Sequence, residues 1–274
     1  MSGAAGSSGS NGTGGVGGAG GSSGSASGGS SGQGSGGTGG GGSGGVSGAG
    51  GSSGSAGTGG SGGSVTCVTD SPFSGQATWY ELATPLVNCS YETGTLPQYY
   101  AALNTAQYGA SAACGACAHV EGPKGSVDVQ IVDQCPISTN PICYQGHLDL
   151  NVPAFERIAD KVTGIVPIRW WFTPCNVQGG VTYRFKEGTS QYWAAVQVRN
   201  YRHRITKLEY RNSSGSYVSM PRQDYNYFLA ASGMGPGPFT FRVTDVHGHT
   251  IVDSNIPLRV AQTVSGTAQF PTCN

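Results

Sequence analysis

Beyond residue 64 the chain is a succession of short apolar runs cut by Gly, Pro, Asn and Ser, the pattern of strands joined by tight turns. Within 65–176 these runs are QATWYEL, GACAHVEGPKGSVDVQIVDQCP, HLDLN and IVPIRWWFTPC. In HLDLN, Leu148 and Leu150 fall on one strand face and His147, Asp149 and Asn151 on the other, which predicts a half-buried strand. One helix is predicted over 152–162. Pro153 suits its first turn, Asn151 can cap it, and Ala154, Ile158 and Val162 with Phe155 form an apolar stripe. The stretch 177–274 offers only strands, at the spacing of a small sandwich: GVTYRFKE, YWAAVQVRN, ITKLEYRN, YVSM, FTFRVTDVHG and TIVDSN.

Residues 1–64 lack any such pattern. They hold 32 glycines, many serines and no charged or aromatic residue. So little apolar surface cannot offset chain entropy, and a disordered Gly/Ser linker with a span of roughly 45 Å is expected. The stretch shows neither the charged-then-apolar order of a signal peptide nor an apolar run long enough to span a bilayer. The expected organisation is therefore a linker over 1–64, one domain over 65–176 and another over 177–274.

Charge separates the two domains. Residues 65–176 carry 4 Lys/Arg against 9 Asp/Glu, net −5, and residues 177–274 carry 10 against 5, net +5. No basic run or recognition motif supports nucleic-acid binding. Arg199, Arg202, Arg204 and Lys207 read either as an attraction for an anionic matrix polymer or as a solvated strand face. All eight cysteines, Cys67, Cys89, Cys114, Cys117, Cys135, Cys143, Cys175 and Cys273, lie in the patterned region. An even count in a loop-rich chain favours disulfides and an oxidising compartment, with the pairing open. Cys114 and Cys117 have ligand spacing, but no second pair matches them, so no metal ligand set is assigned and no cofactor is expected.

Tyr192 and Trp193 are adjacent just before a β run. Either one of them packs into the core, or both face outward at an irregular strand entry and form a flat platform on which the apolar faces of sugar rings stack. Here the sequence resembles a known family. GQATWY (75–80), VEGPKGSVDVQIVDQCP (120–136), GHLDLNVPAFERIA (146–159) and VPIRWWFTPC (166–175) look like the first domain of expansins. YRFKEGTSQYWAAVQVRN (183–200), DYNYF (224–228) and FRVTDVHG (241–248) look like the second domain of bacterial expansins.

The resemblance implies a mainly β protein: a six-stranded double-psi β-barrel packed against an immunoglobulin-like β-sandwich that binds carbohydrate. It implies a barrel groove using Thr78, Asp133 and Asp149, and a platform using Tyr192, Trp193 and Tyr225 with Lys186 beside it. The implied activity is nonhydrolytic loosening of cellulose-containing walls by a secreted monomer. Its partners would be cellulose, matrix polysaccharides and, through the basic domain, acidic pectins. Two departures stand out. Cys135 occupies a position where many bacterial members carry tyrosine, which implies that Cys135 is bonded, and the platform starts Tyr-Trp where Trp-Trp is common. Hydrolysis needs two carboxylates about 5–9.5 Å apart. Asp149 is a credible acid, but no partner base is identifiable in the sequence, so a glycoside hydrolase or lytic transglycosylase is the lesser reading. An adhesion protein that binds without loosening is the other.

Overall fold

The computed structural model describes Cys67 and residues 71–273. The expected linker over 1–64 lies outside the described residues. Six strands close into a barrel: β1 (Phe73–Tyr80), β2 (Tyr100–Asn104), β3 (Cys117–Gly122), β4 (Gly125–Cys135), β5 (Leu148–Asn151) and β6 (Val166–Thr173). Their order is β1-β5-β2-β4-β3-β6, with β1 parallel to β5 and β2 parallel to β4. The interior is filled by alternate residues such as Val166, Ile168 and Trp170 of β6, while Pro167 and Arg169 between them are exposed. This is the double-psi barrel that the sequence resemblance implied.

A second layer pair follows. Strands β7 (Thr182–Phe185), β8 (Ala194–Arg199), β11 (Phe228–Ala230) and β14 (Thr263–Ser265) make one sheet, in the order β11-β8-β7-β14. Strands β9 (Ile205–Arg211), β10 (Tyr217–Met220), β12 (Phe239–Asp245) and β13 (Thr250–Ile256) make the other, in the order β10-β9-β12-β13. Their inner faces share one core, in which Tyr183 stacks on Phe241 at 4.8 Å. The mainly β, barrel-plus-sandwich architecture is thus as expected.

Three strands escape the sequence pattern: β2, β11 and β14. In β2, YAALN, four of five residues are buried, so no apolar/polar alternation marks it. The helix is shorter than predicted. It spans Val152–Ile158, Ala159 turns extended, and Val162 lies beyond it, 94% exposed. Asn151 does not cap it with its side chain, which instead accepts from Tyr100 N at 3.1 Å and donates to Gln98 O at 2.9 Å. HLDLN is also not half-solvated. His147 and Asn151 are buried with the leucines, because the polar face meets other polar groups of the barrel instead of water.

The cysteines form four disulfides: Cys67–Cys273, Cys89–Cys114, Cys117–Cys175 and Cys135–Cys143. Cys114 and Cys117 therefore belong to different bridges, which removes the metal-ligand reading of their spacing.

One close approach fixes the groove end of the barrel. A Cβ on Gly75 would clash with the Gly146 carbonyl, and one on Gly146, whose φ is +95°, would lie 2.5 Å from Ser74 O. Buried Trp170 ties the same spot by donating from Nε1 to Gly146 O at 2.9 Å. Gly146→Ala should therefore destabilise the fold by about 2 kcal/mol or more, lowering the melting temperature by roughly 4–8 °C. A thermal melt of the variant checks this.

Candidate functional site

The barrel topology places Thr78, Asp133 and Asp149, the three residues expected in a groove, in a row. Ala102 of β2 is the register partner of both Asp133 on β4 and Asp149 on β5, and Asp149 is the partner of Thr78 on β1. With neighbouring strands about 4.8 Å apart, the two aspartate backbones stand roughly 9–10 Å from each other across a single alanine. The small side chain of Ala102 packs with the Cys135–Cys143 disulfide and with Tyr80, two residues along β1 from Thr78 and on the same face.

Hydrogen bonds tie the row together. The Thr78 hydroxyl donates to Asp149 Oδ1 at 2.7 Å and meets His147 Nε2 at 3.0 Å. The hydroxyl has one proton and gives it to the carboxylate, so the proton between Thr78 and His147 sits on Nε2. That leaves His147 Nδ1 as a lone-pair nitrogen, buried and without a hydrogen-bond partner among the described residues. Asp133 Oδ1 accepts from the backbone amides of Asn88 (2.8 Å) and Gln134 (2.9 Å).

Burial dominates the electrostatics. It raises the pKa of Asp149, against the Thr78 hydrogen bond and with help from the charge of Asp133. It raises Asp133 too, against the two backbone amides. It pushes His147 down to about 4, so the imidazole is neutral at ordinary pH. The Tyr80 hydroxyl is buried without a partner among the described residues, and burial with the nearby Asp133 and Asp149 charges raises its pKa. The result is a half-dry pocket with two carboxylates and a phenol, suited to holding the hydroxyls of a neutral polyol.

The second candidate surface lies on the sandwich. The chain bends at 191–193 and enters β8 at Ala194, leaving Tyr192 75% exposed and Trp193 half-buried. Neither is core, and both sit at an irregular strand entry. In the β8–β11 pair, Ala194 faces Ala230 and Val196 faces Phe228 across the ladder. Trp193 thus lies beside the Ala194–Ala230 end of this pair, and Tyr225 lies in the turn leading into β11, its ring 5.9 Å from that of Tyr227. Strand alternation puts Arg184 of β7 and Gln197 and Arg199 of β8 on the outer sheet face, opposite to core residues Tyr183, Phe185, Val196 and Val198. The ammonium of Lys186 sits 5.8 Å over the Tyr227 ring.

The barrel rests on that same outer face. Glu92 pairs with Arg184 (2.7 Å) and Arg199 (3.0 Å), and Gln197 donates to Cys89 O at 2.7 Å. The loop carrying Tyr225 is held by Ser90, whose hydroxyl donates to Tyr225 O (2.8 Å), and by Tyr108, which donates to Asp224 O (3.1 Å). The proposed basic cluster is accordingly not a free patch. Arg199 is in this seam, Arg202 binds Phe270 O, Arg204 lies 3.9 Å over the Phe172 ring, and Lys207 pairs with Glu209 at 2.7 Å. Residues missed by sequence reasoning are Tyr80, Ala102 and Asn88. Period-two spacing from Thr78 marks Tyr80, whereas nothing marks Asn88, a loop residue brought in by the fold.

A family model described as lytic transglycolase matches residues 74–170. Expansin-YoaJ of Bacillus subtilis is 36% identical over 166 residues, covering 59% of this chain and 68% of that protein. The chain belongs to the expansin family. Expansin-like protein 2 of Dictyostelium discoideum is 33% identical over 204 residues, which span 72% of this expansin and 50% of that protein. Among solved structures, the ligand-free expansin of Clavibacter michiganensis aligns with a TM-score of 0.67 and 32% identity, over 74% of this expansin and all of the other chain. An aspartate-to-asparagine mutant of that bacterial protein, in complex with cellohexaose, aligns equally well.

The two buried groups of this expansin make opposite predictions for stability. His147 has a depressed pKa, so the unfolded chain takes up its proton first and stability falls as pH drops from about 6.5 to about 4. Asp149 has a raised pKa, so the folded state holds its proton longer and stability falls as pH rises through that raised value. Urea unfolding from pH 4 to 7 should show His147→Gln losing the acid-side decline, of order 3 kcal/mol. Asp149→Asn should gain on wild type as pH rises.

Proposed function

We propose that this expansin is a secreted, nonhydrolytic loosening protein for glucan walls, with cellulose as its main partner. The domains would run over 65–176 and 177–274, tethered through 1–64. The observation that carries this reading is the shared placement of groove and platform: the Tyr225 loop is hydrogen-bonded to the barrel that bears Thr78, Asp133 and Asp149. Tyr192, Trp193 and Tyr225 stack on the apolar faces of one glucan chain, with Lys186 at the rim. The groove then takes hydroxyls of an adjoining chain onto Asp133, Asp149 and Tyr80 and competes with contacts between glucans. The cellohexaose complex of the Clavibacter relative supports an oligoglucan as the ligand class. Pectin binding has less behind it, since Arg199, Arg202, Arg204 and Lys207 are engaged within the protein.

Cleavage is the second reading, favoured by the lytic-transglycolase match and by the raised pKa of Asp149, which suits a general acid. Against it, Asp133 is already committed to two backbone amides and rises from the same strand row as Asp149. An inverting base belongs on the opposite face of the sugar. A binding-only adhesin would have no use for the groove.

Tyr192→Ala/Trp193→Ala should weaken binding to crystalline cellulose at least tenfold. This takes about 1–3 kcal/mol per stacked aromatic, the value for base-stacking platforms. Asp149→Asn should abolish creep of heat-inactivated wall strips while leaving cellulose binding intact. Reducing-sugar or anhydro-sugar release by wild type that is lost in Asp149→Asn would establish cleavage, and unchanged creep in that variant would remove the groove from the reading.

A further inference from the structure

One corner of the sandwich, away from groove and platform, gathers three of the chain's five histidines. His203 precedes β9, and His247 and His249 flank Gly248 in the turn between β12 and β13. Their ring centroids are 5.0 Å (His203–His247), 5.9 Å (His247–His249) and 6.4 Å (His203–His249) apart.

Two of the rings carry the outer contact that orients metal-binding imidazoles. His203 Nε2 lies 2.9 Å from Pro271 O, and His249 Nδ1 lies 2.8 Å from Asp245 Oδ2. A carbonyl and a carboxylate only accept, so those nitrogens hold the protons and the lone pairs are on His203 Nδ1 and His249 Nε2. Asp245 is itself fixed, accepting on Oδ1 from the amides of His247 (2.9 Å) and His249 (2.8 Å). The His247 ring makes no hydrogen bond among the described residues. Donor atoms of His203, His247, Cys67 and Cys273 all lie within 4.8 Å of one another. The two sulfurs are joined in a disulfide, however, and the thiolate is the ligating form, so the imidazoles are the available donors.

We propose that His203, His247 and His249 bind a first-row divalent cation of the zinc, nickel and copper group, with a fourth position left to water. Nitrogen donors suit these ions. Metal–nitrogen bonds of about 2.0–2.1 Å would set ring centroids roughly 5–5.5 Å apart. The His203–His247 pair already meets that spacing, with donor atoms within 4.8 Å of each other, whereas His249 lies farther out and has to swing inward to complete the set. Such an ion would clasp the β12–β13 turn to the Pro271 segment. That segment leads through Cys273 to Cys67.

The test is calorimetric titration of the full chain with zinc chloride, free of any affinity tag and with disulfides intact, paired with thermal melts. One saturable zinc per chain and a raised melting temperature are expected. His247→Ala/His249→Ala, at a half-buried turn, should keep a wild-type circular dichroism spectrum yet lose at least tenfold in affinity together with the thermal shift. His119→Ala should keep both. Three results would each overturn the site: no saturable binding, equal affinity in the double variant, or binding that arises only after disulfide reduction.

Discussion

A single buried carbonyl, that of Cys89, takes hydrogen bonds from Gln197 (2.7 Å) and Asn226 (3.3 Å), both on the sandwich. Buried carbonyls left without donors cost about 1–3 kcal/mol, so these bonds specify one seating of sandwich on barrel. Around them, Arg222 reaches back to Ser111 O at 2.8 Å, Ser111 donates to Gln223 O at 2.7 Å, and Tyr201 donates to Cys114 O. Cys89 and Cys114 are themselves bonded, so the disulfide shapes the barrel surface that receives the Tyr225 loop. This seam holds the strand row of Thr78, Asp133 and Asp149 and the Tyr225 loop in one body.

The seam also explains why charge misleads at sequence level. The +5 of the second domain suggests an electropositive docking face, yet Arg184 and Arg199 neutralise Glu92 of the acidic barrel across the seam. Opposite domain charges here complement each other within the molecule. Arg242 and Lys207 likewise close on Glu209, whose pKa they pull down to about 2. The net charge of a segment says nothing about which of its charges remain for a partner.

What was legible followed local rules. Alternation marked the runs that become β4, β5 and β6, whereas Thr78, Asp133 and Asp149 were named as a set only through the likeness to expansins. The row itself was not legible. It depends on Ala102, on a strand whose alanines carry no β signature, and on two parallel pairings that only the closed topology creates. The solvated polar face expected for HLDLN failed for the same reason: once β1 and β2 flank β5, His147 and Asn151 find partners inside.

Such a site is costly to build. It half-buries two carboxylates, keeps an imidazole neutral and leaves a phenol and a ring nitrogen without partners among the described residues, each a penalty on folding. The disulfides stand where that cost falls. Cys135–Cys143 lies under the row at Ala102, Cys89–Cys114 lies at the seam, and Cys117–Cys175 ties β3 to the segment leaving β6. Cross-links of this kind act mainly by narrowing the unfolded ensemble, typically by about 2–4 kcal/mol each. They therefore offset the penalty without filling the groove with apolar side chains. Under the function proposed above, a groove that exchanges hydroxyl contacts with a polymer has to stay polar and under-satisfied. Stability drawn from covalent staples is compatible with that requirement, whereas stability drawn from repacking Ala102 or Tyr80 would remove it.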